Sequence, residues 1–158
     1  MTTFISVGNA LQPFSRLAKI INQVELMLPR PIFIQSGNTI FNCKEATIKK
    51  KITLTEFEER VLNSNVLILH AGAGSVIHAL QKNKLPIIMA REKRYGEHID
   101  DHQVEFANAL AMLDRVLMIK NKEDLEFAIH HKNKELSEIK NNERLLTLID
   151  KIIDSRLN

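Results

Sequence analysis

The sequence is poor in the residues that would staple a small fold together or carry it into a membrane. It has a single cysteine, Cys43, among 158 residues. No internal disulfide can form, and the expected setting is a reducing cytoplasm. No apolar run approaches the roughly 20 residues needed to cross a bilayer. Met1-Thr2-Thr3-Phe4 leads straight into a strand-like run, without the basic and apolar segments of a secretory leader. Aromatic residues make up only 5% and tryptophan is absent. With no recognisable nucleic-acid motif beside them, nucleic acid is not an expected partner. Repeats, low-complexity stretches and linkers are also missing, so residues 1–158 are expected to form one domain with its own core.

What is present is ordinary in amount and specific in pattern. The hydrophobic fraction of 44% and charged fraction of 26% are those of a soluble globular chain. The net charge of +3 is mild, with basic clusters at Lys49-Lys50-Lys51 and from Arg91 to Arg94. Such clusters are ordinarily solvated faces, and they also suit an anionic membrane surface or a negatively charged ligand.

Strand and helix patterns alternate along the chain. Residues 4–7 read as a strand ending at Gly8, and Pro13 suits the first turn of a helix with Leu17, Ile20, Ile21, Val24 and Leu28 on one side. Pro29 and Pro31 stop it, and residues 32–35 form a second strand ending at Gly37. A third strand is expected over 46–52. Thr55 is expected to cap a helix through Leu62, with Glu58 as its capping-box partner. Residues 66–69, 86–90 and 116–119 read as further strands. Helices are expected from Asp100 or Asp101 to Leu113, over 122–138 and over 141–156, the last with an apolar stripe suited to packing on the chain's own sheet and, where it widens, to docking a partner. Such alternation implies an α/β fold, a Rossmann-like parallel sheet with helices on both faces. Ligands then bind at the carboxyl edge, where Gly8, Gly37, His70 and Arg91 all follow strands.

The centre of this pattern is His70-Ala71-Gly72-Ala73-Gly74-Ser75, between the buried run Val66-Leu67-Ile68-Leu69 and a helical face begun by Val76, Ile77, Ala79 and Leu80. Two glycines permit a sharp turn and close approach of a ligand to the main chain. The free amides and dipole of the following helix suit an anion such as a diphosphate. The same residues also read as a plain strand-to-helix turn with Ser75 near the cap.

A second polar cluster, Gly96-Glu97-His98-Ile99-Asp100-Asp101-His102-Gln103, follows the strand near residue 88. It admits a capping box between Asp100 and Gln103, a metal pair at His98 and His102, or a grip on ligand hydroxyls. If Asp100 caps the helix, His98 precedes it and need not share a face with His102, so no metal is expected.

Together these motifs resemble the C-terminal domain of glycosyltransferase family 28. They are most similar to the PssE-like small subunits of split bacterial exopolysaccharide and capsule transferases. They are also similar to the small cytosolic subunit of the eukaryotic transferase that adds the second GlcNAc to dolichol-linked sugar, and more distantly to the C-terminal half of MurG. The likeness runs from Phe4 to about Leu113 and includes Val7-Gly8, Phe14 with Leu17, and Gln35-Ser36-Gly37. It implies the donor half of a GT-B glycosyltransferase that binds a UDP-sugar, with no further cofactor and no metal. The implied site comprises Gly8, Asn9, His70, Glu97, His98 and His102. Gly72, Ala73, Gly74 and Ser75 would lie on the diphosphate, and Asp101 and Gln103 on hydroxyls of the sugar. A membrane-anchored partner would supply the lipid-linked acceptor site and the general base, holding this cytoplasmic chain at the inner face of the membrane.

Two positions depart from the family pattern. Asn9 stands where Thr or Ser is common, and His78 stands where Glu commonly accepts hydrogen bonds from ribose hydroxyls. A neutral imidazole accepts one hydrogen bond where a carboxylate accepts two. Two functions therefore stay open: a catalytic donor-binding subunit, and a scaffolding subunit that stabilises a partner transferase without turnover of its own.

Overall fold

In the computed structural model, which describes residues 2–131, six parallel strands are ordered β3-β2-β1-β4-β5-β6. They are β1 (Thr3–Ser6), β2 (Ile32–Gln35), β3 (Ala46–Lys49), β4 (Val66–His70), β5 (Ile87–Met89) and β6 (Leu117–Met118). The helices are α1 (Ser15–Val24), α2 (Leu54–Asn63), α3 (Ala73–Gln81), α4 (His102–Ala111) and α5 (Lys122–His131). The expected helix over 141–156, and the part of 122–138 beyond His131, lie outside the described residues.

Side chains alternate across the sheet with a period of two, so apolar runs fill two cores at once. Ile5, Ile34, Ile68 and Met89 face α1 and α5, joining Leu17, Ile21, Val24 and Leu125. Phe4, Phe33, Leu67, Leu69 and Ile88 face the other way, against Val61 of α2, Val76 and Leu80 of α3, and Phe106 and Leu110 of α4. The outer strand β3 is largely exposed.

Three local expectations need correction. α1 begins two residues after Pro13, because the Phe14 amide is committed to Thr39 Oγ at 2.8 Å and Phe14, wholly buried, becomes the N-cap. The cap of α2 is Thr53, not Thr55; its hydroxyl accepts from the Glu56 amide at 3.1 Å. The third strand ends at Lys49 rather than Ile52.

The order 3-2-1-4-5-6 reverses direction between β1 and β4, and the connections leaving those strands part to opposite faces. A crevice opens at that point on the carboxyl edge.

Candidate functional site

The crevice is a cavity of about 350 Å³ lined by Gly8, Asn9, Gln35, Ile52, Thr53, Leu54, Phe57, Gly74, Ser75 and His78. A larger open groove of about 600 Å³ runs under α2 from the amino ends of β1 and β2. It lies away from the glycine turn, and its floor includes Phe33, over which Arg60 stacks at 3.7 Å.

The start of α3 forms one wall of the cavity. Its N-cap is Gly72, which has no side chain to offer, and no acidic residue stands in its first turn. The first helical bond runs from the Val76 amide to Gly72 O at 3.1 Å, so the amides of Ala73, Gly74 and Ser75 precede the hydrogen-bond ladder. The positive end of the helix is left uncompensated beside a cavity, the arrangement that favours an anion. Thr53 and Leu54 bring the start of α2 to the same cavity.

The two glycines of the turn do different work. A Cβ on Gly72 would stand 2.2 Å from His70 Nε2, whereas a Cβ on Gly74 would meet nothing within 4 Å. Gly74 is the position that keeps the main chain approachable; Gly72 makes room for an imidazole. Gly8, at φ +73°, does the same from β1, since a Cβ there would stand 2.7 Å from the His70 ring.

His70 is therefore a packed residue at the switch point. Its Nδ1 lies 3.4 Å from Ser6 O. Enclosure of the ring, with help from the nearby Arg91 charge, pushes its pKa down to about 4, so the imidazole is neutral at pH 7.

Gln35 joins the first two strand ends. It accepts from the Ser6 hydroxyl and donates to Asn9 Oδ1 at 2.9 Å. That bond leaves the Nδ2 end of Asn9 as a donor at the cavity. His78 lies across from them. Its Nδ1 is 3.9 Å from Glu58 Oε1, its ring meets Phe57 edge-on at 5.8 Å, and its buried Nε2 has no partner.

The second cluster lies on the same carboxyl edge, outside the walls of this cavity. Glu97 is buried and already engaged, accepting from Arg16 Nε at 2.8 Å, Arg16 Nη2 at 2.6 Å and the Glu92 amide at 3.0 Å. Burial lowers the Arg16 pKa, but the bond and charge of Glu97 outweigh it and raise the net value. Asp101 accepts from the Lys93 amide at 2.8 Å, and Gln103 Oε1 accepts from the Arg91 amide at 3.1 Å. Gln103 thus ties α4 to β5 rather than reaching back as a capping-box partner. Asp100 sits between two imidazoles, 3.0 Å from His98 Nδ1 and 3.1 Å from His102 Nδ1. The His102 amide, aided by both histidines, holds the Asp100 carboxyl below its usual range against the opposing effect of burial. Among the described residues no group of three or more His, Cys, Asp or Glu is placed to hold a metal ion.

The sequence places Arg91 at the carboxyl edge without showing what it holds there. Only 1% exposed, it donates to Val7 O at 2.8 Å, Gln12 O at 2.8 Å and Glu97 O at 3.2 Å. Its guanidinium lies 4.7 Å from the Phe14 ring centroid. It knots the β1 end, the loop after it and the second cluster into one edge. The available signal was an arginine directly after a buried strand, a position that does not reveal which distant carbonyls it will satisfy.

The model of the glycosyltransferase family 28 C-terminal domain matches residues 4–153. The chain belongs to this family. The fold is also similar to that of the glycotransferase of kitacinnamycin, known from a crystal structure, with a TM-score of 0.65 at 14% identity. That match covers 97% of this chain and 39% of the other, so the chain spans about two-fifths of the length of the protein it resembles. At this identity the likeness is one of fold. No curated protein matches by sequence. The family-28 domain described here has no helix, among its described residues, that is long and apolar enough to cross a membrane.

Proposed function

We propose that this family-28 domain is the donor-binding half of a two-component glycosyltransferase, taking a hexose-type sugar from a UDP-sugar to a lipid-linked acceptor in bacterial exopolysaccharide or capsule synthesis. The observation that carries the reading is the uncompensated start of α3, with Gly74 open to the cavity at the β1/β4 switch point. A diphosphate placed there would be held by the Ala73, Gly74 and Ser75 amides and by the Asn9 amide group. The same dipole would stabilise the charge that develops on the leaving diphosphate as the bond to the sugar breaks. Asp101 and Gln103, on the neighbouring part of the edge, would meet the sugar hydroxyls through lone pairs and N–H groups left over from their bonds to Lys93 and Arg91. In this reading a membrane-anchored partner brings the acceptor and the general base, and no further cofactor is needed.

The scaffolding alternative has one observation in its favour: His78 at the cavity is already turned toward Glu58 and Phe57. Calorimetric titration of the full chain with UDP and a panel of UDP-sugars separates the two. The donor-binding reading expects saturable binding at one site per chain. Absence of binding, with the chain still raising the yield of a co-expressed partner, would favour the scaffold.

A further inference from the structure

We propose that the loops at the carboxyl ends of β1, β2 and β3 dock this chain directly onto an anionic lipid bilayer. Three aliphatic side chains protrude there: Leu11 is 82% exposed, Ile40 80% and Leu54 72%. They come from three separate connections, β1 to α1, β2 to β3, and β3 to α2. These connections form one surface. Asn38 Nδ2 donates to Leu11 O at 3.1 Å, and the Gly37 amide donates to Lys50 O at 3.0 Å. A depression of about 200 Å³ is lined by Asn9, Leu11, Gly37, Asn38, Lys50 and Lys51. Leu54 and Asn9 both line the adjoining crevice.

Charge decides the occupant. Residues 8–14, 36–42 and 49–55 contain Lys49, Lys50 and Lys51 and no aspartate or glutamate; Lys44 and Glu45 lie at the far end of the β2–β3 connection, by the amino end of β3. Lys49 is paired with Glu56 at 2.9 Å; Lys50 and Lys51 are exposed. Elsewhere on the edge, Tyr95 and Ile99 are also exposed, but Glu92, Asp100 and Asp101 lie among them. The purely positive rim belongs to the β1–β3 side. A protein interface core is depleted in lysine and presents a continuous apolar patch. Separate aliphatic tips with lysines between them, and no carboxylate, match the interfacial layer of a bilayer instead. The tips enter at headgroup depth while the ammonium groups meet lipid phosphates. Docking by this face would turn the mouth of the crevice toward the lipid, where the proposed acceptor resides, although the inference does not depend on that function.

The test is co-sedimentation of the full chain with sucrose-loaded vesicles, either of phosphatidylcholine alone or with about a third phosphatidylglycerol. Binding is expected to the anionic vesicles only, and to weaken as salt rises. Each lysine at such a surface contributes roughly fivefold to partitioning. Lys50→Glu/Lys51→Glu should therefore reduce binding by at least about tenfold. Leu11→Ser/Ile40→Ser should reduce it too, while Leu26→Ser/Met112→Ser, at exposed positions on the opposite edge, should not. Failure of the parent chain to bind anionic vesicles would overturn the proposal. So would undiminished binding by the charge-reversed variant, or an equal loss in the opposite-edge control. Loss of a co-purifying protein in these variants, without vesicle binding by the parent, would also overturn it and give the loops to a protein interface. UDP titration of the same samples is read separately, so vesicle binding without nucleotide binding would count against the proposed function alone.

Discussion

The His70 imidazole occupies the space that a side chain on Gly72 would need: a Cβ there would lie 2.2 Å from Nε2. The first glycine of the turn is thus held by an internal contact and the second, Gly74, by openness. Gly72→Ala should displace the ring and destabilise the fold by about 1–3 kcal/mol, as overpacking does. Gly74→Ala should be neutral, or stabilise by up to about 1 kcal/mol through helix propensity. Urea unfolding of the two variants checks this; equal stabilities would mean that His70 moves aside freely.

Stability should depend on pH through the same residue. The ordinary histidine value of 6.5 falls to about 4 in the folded chain. Between those values the unfolded chain binds the extra proton, so stability rises with pH across the window. The contribution is full above pH 6.5 and is lost as pH falls toward 4. The fall from 6.5 to about 4 corresponds to at most about 3 kcal/mol, an upper value because the residue is not wholly buried. His70→Gln should flatten the unfolding free energy between pH 6.5 and 4.5 relative to the parent. An unchanged slope would assign the acid sensitivity to other groups.

Arg91 should matter for folding more than its place on a loop suggests. Replacing it with Met leaves the carbonyls of Val7, Gln12 and Glu97 short of donors. An unsatisfied buried group costs about 1–3 kcal/mol. A loss of about 3 kcal/mol in urea unfolding is expected. Arg91→Lys should recover little of it, since one ammonium cannot reproduce the planar fork. Near-parental stability of Arg91→Met would show that water replaces the guanidinium.

The succession of strands along the chain was legible because its signals are local. Val66-Leu67-Ile68-Leu69 and Ile32-Phe33-Ile34-Gln35 are apolar on both faces, and Pro31 and Gly37 bracket the second of them. Caps were less legible for an identifiable reason. Thr53 with Glu56 and Thr55 with Glu58 both spell a capping box, and nothing local chooses between them. The fold chooses by burying Val61 and pairing Glu56 with Lys49 and Arg60. The glycine turn was legible as a strand-to-helix junction, but the division of labour between Gly72 and Gly74 was not. It depends on where the His70 ring lies, which the packing of β1 against β4 determines. Gln103 and Arg91 show the same limit, since each is satisfied by a partner from another loop.

His78 offers a test of which group meets the nucleoside. On the proposed function, a carboxylate at this position would accept ribose hydroxyls, each such bond contributing about 1.5–3 kcal/mol. His78→Glu alone would set that carboxylate beside Glu58, whose Oε1 lies 3.9 Å from the present Nδ1. The double variant His78→Glu/Glu58→Gln should therefore tighten UDP binding severalfold, and more than the single variant. Unchanged affinity in both would remove His78 from the ribose site.

The central claim is that the open start of α3 holds a diphosphate, and it is tested most directly by titrating UDP into Gly74→Val beside the parent chain. A Cβ at Gly74 meets no protein atom within 4 Å, so the fold should survive with an unchanged melting temperature while the side chain occupies the approach to the Ala73, Gly74 and Ser75 amides. The account predicts saturable binding by the parent and a loss of at least about tenfold, roughly 1.4 kcal/mol, in the variant. Equal UDP affinity in a folded Gly74→Val, or no binding by the parent at all, would contradict it.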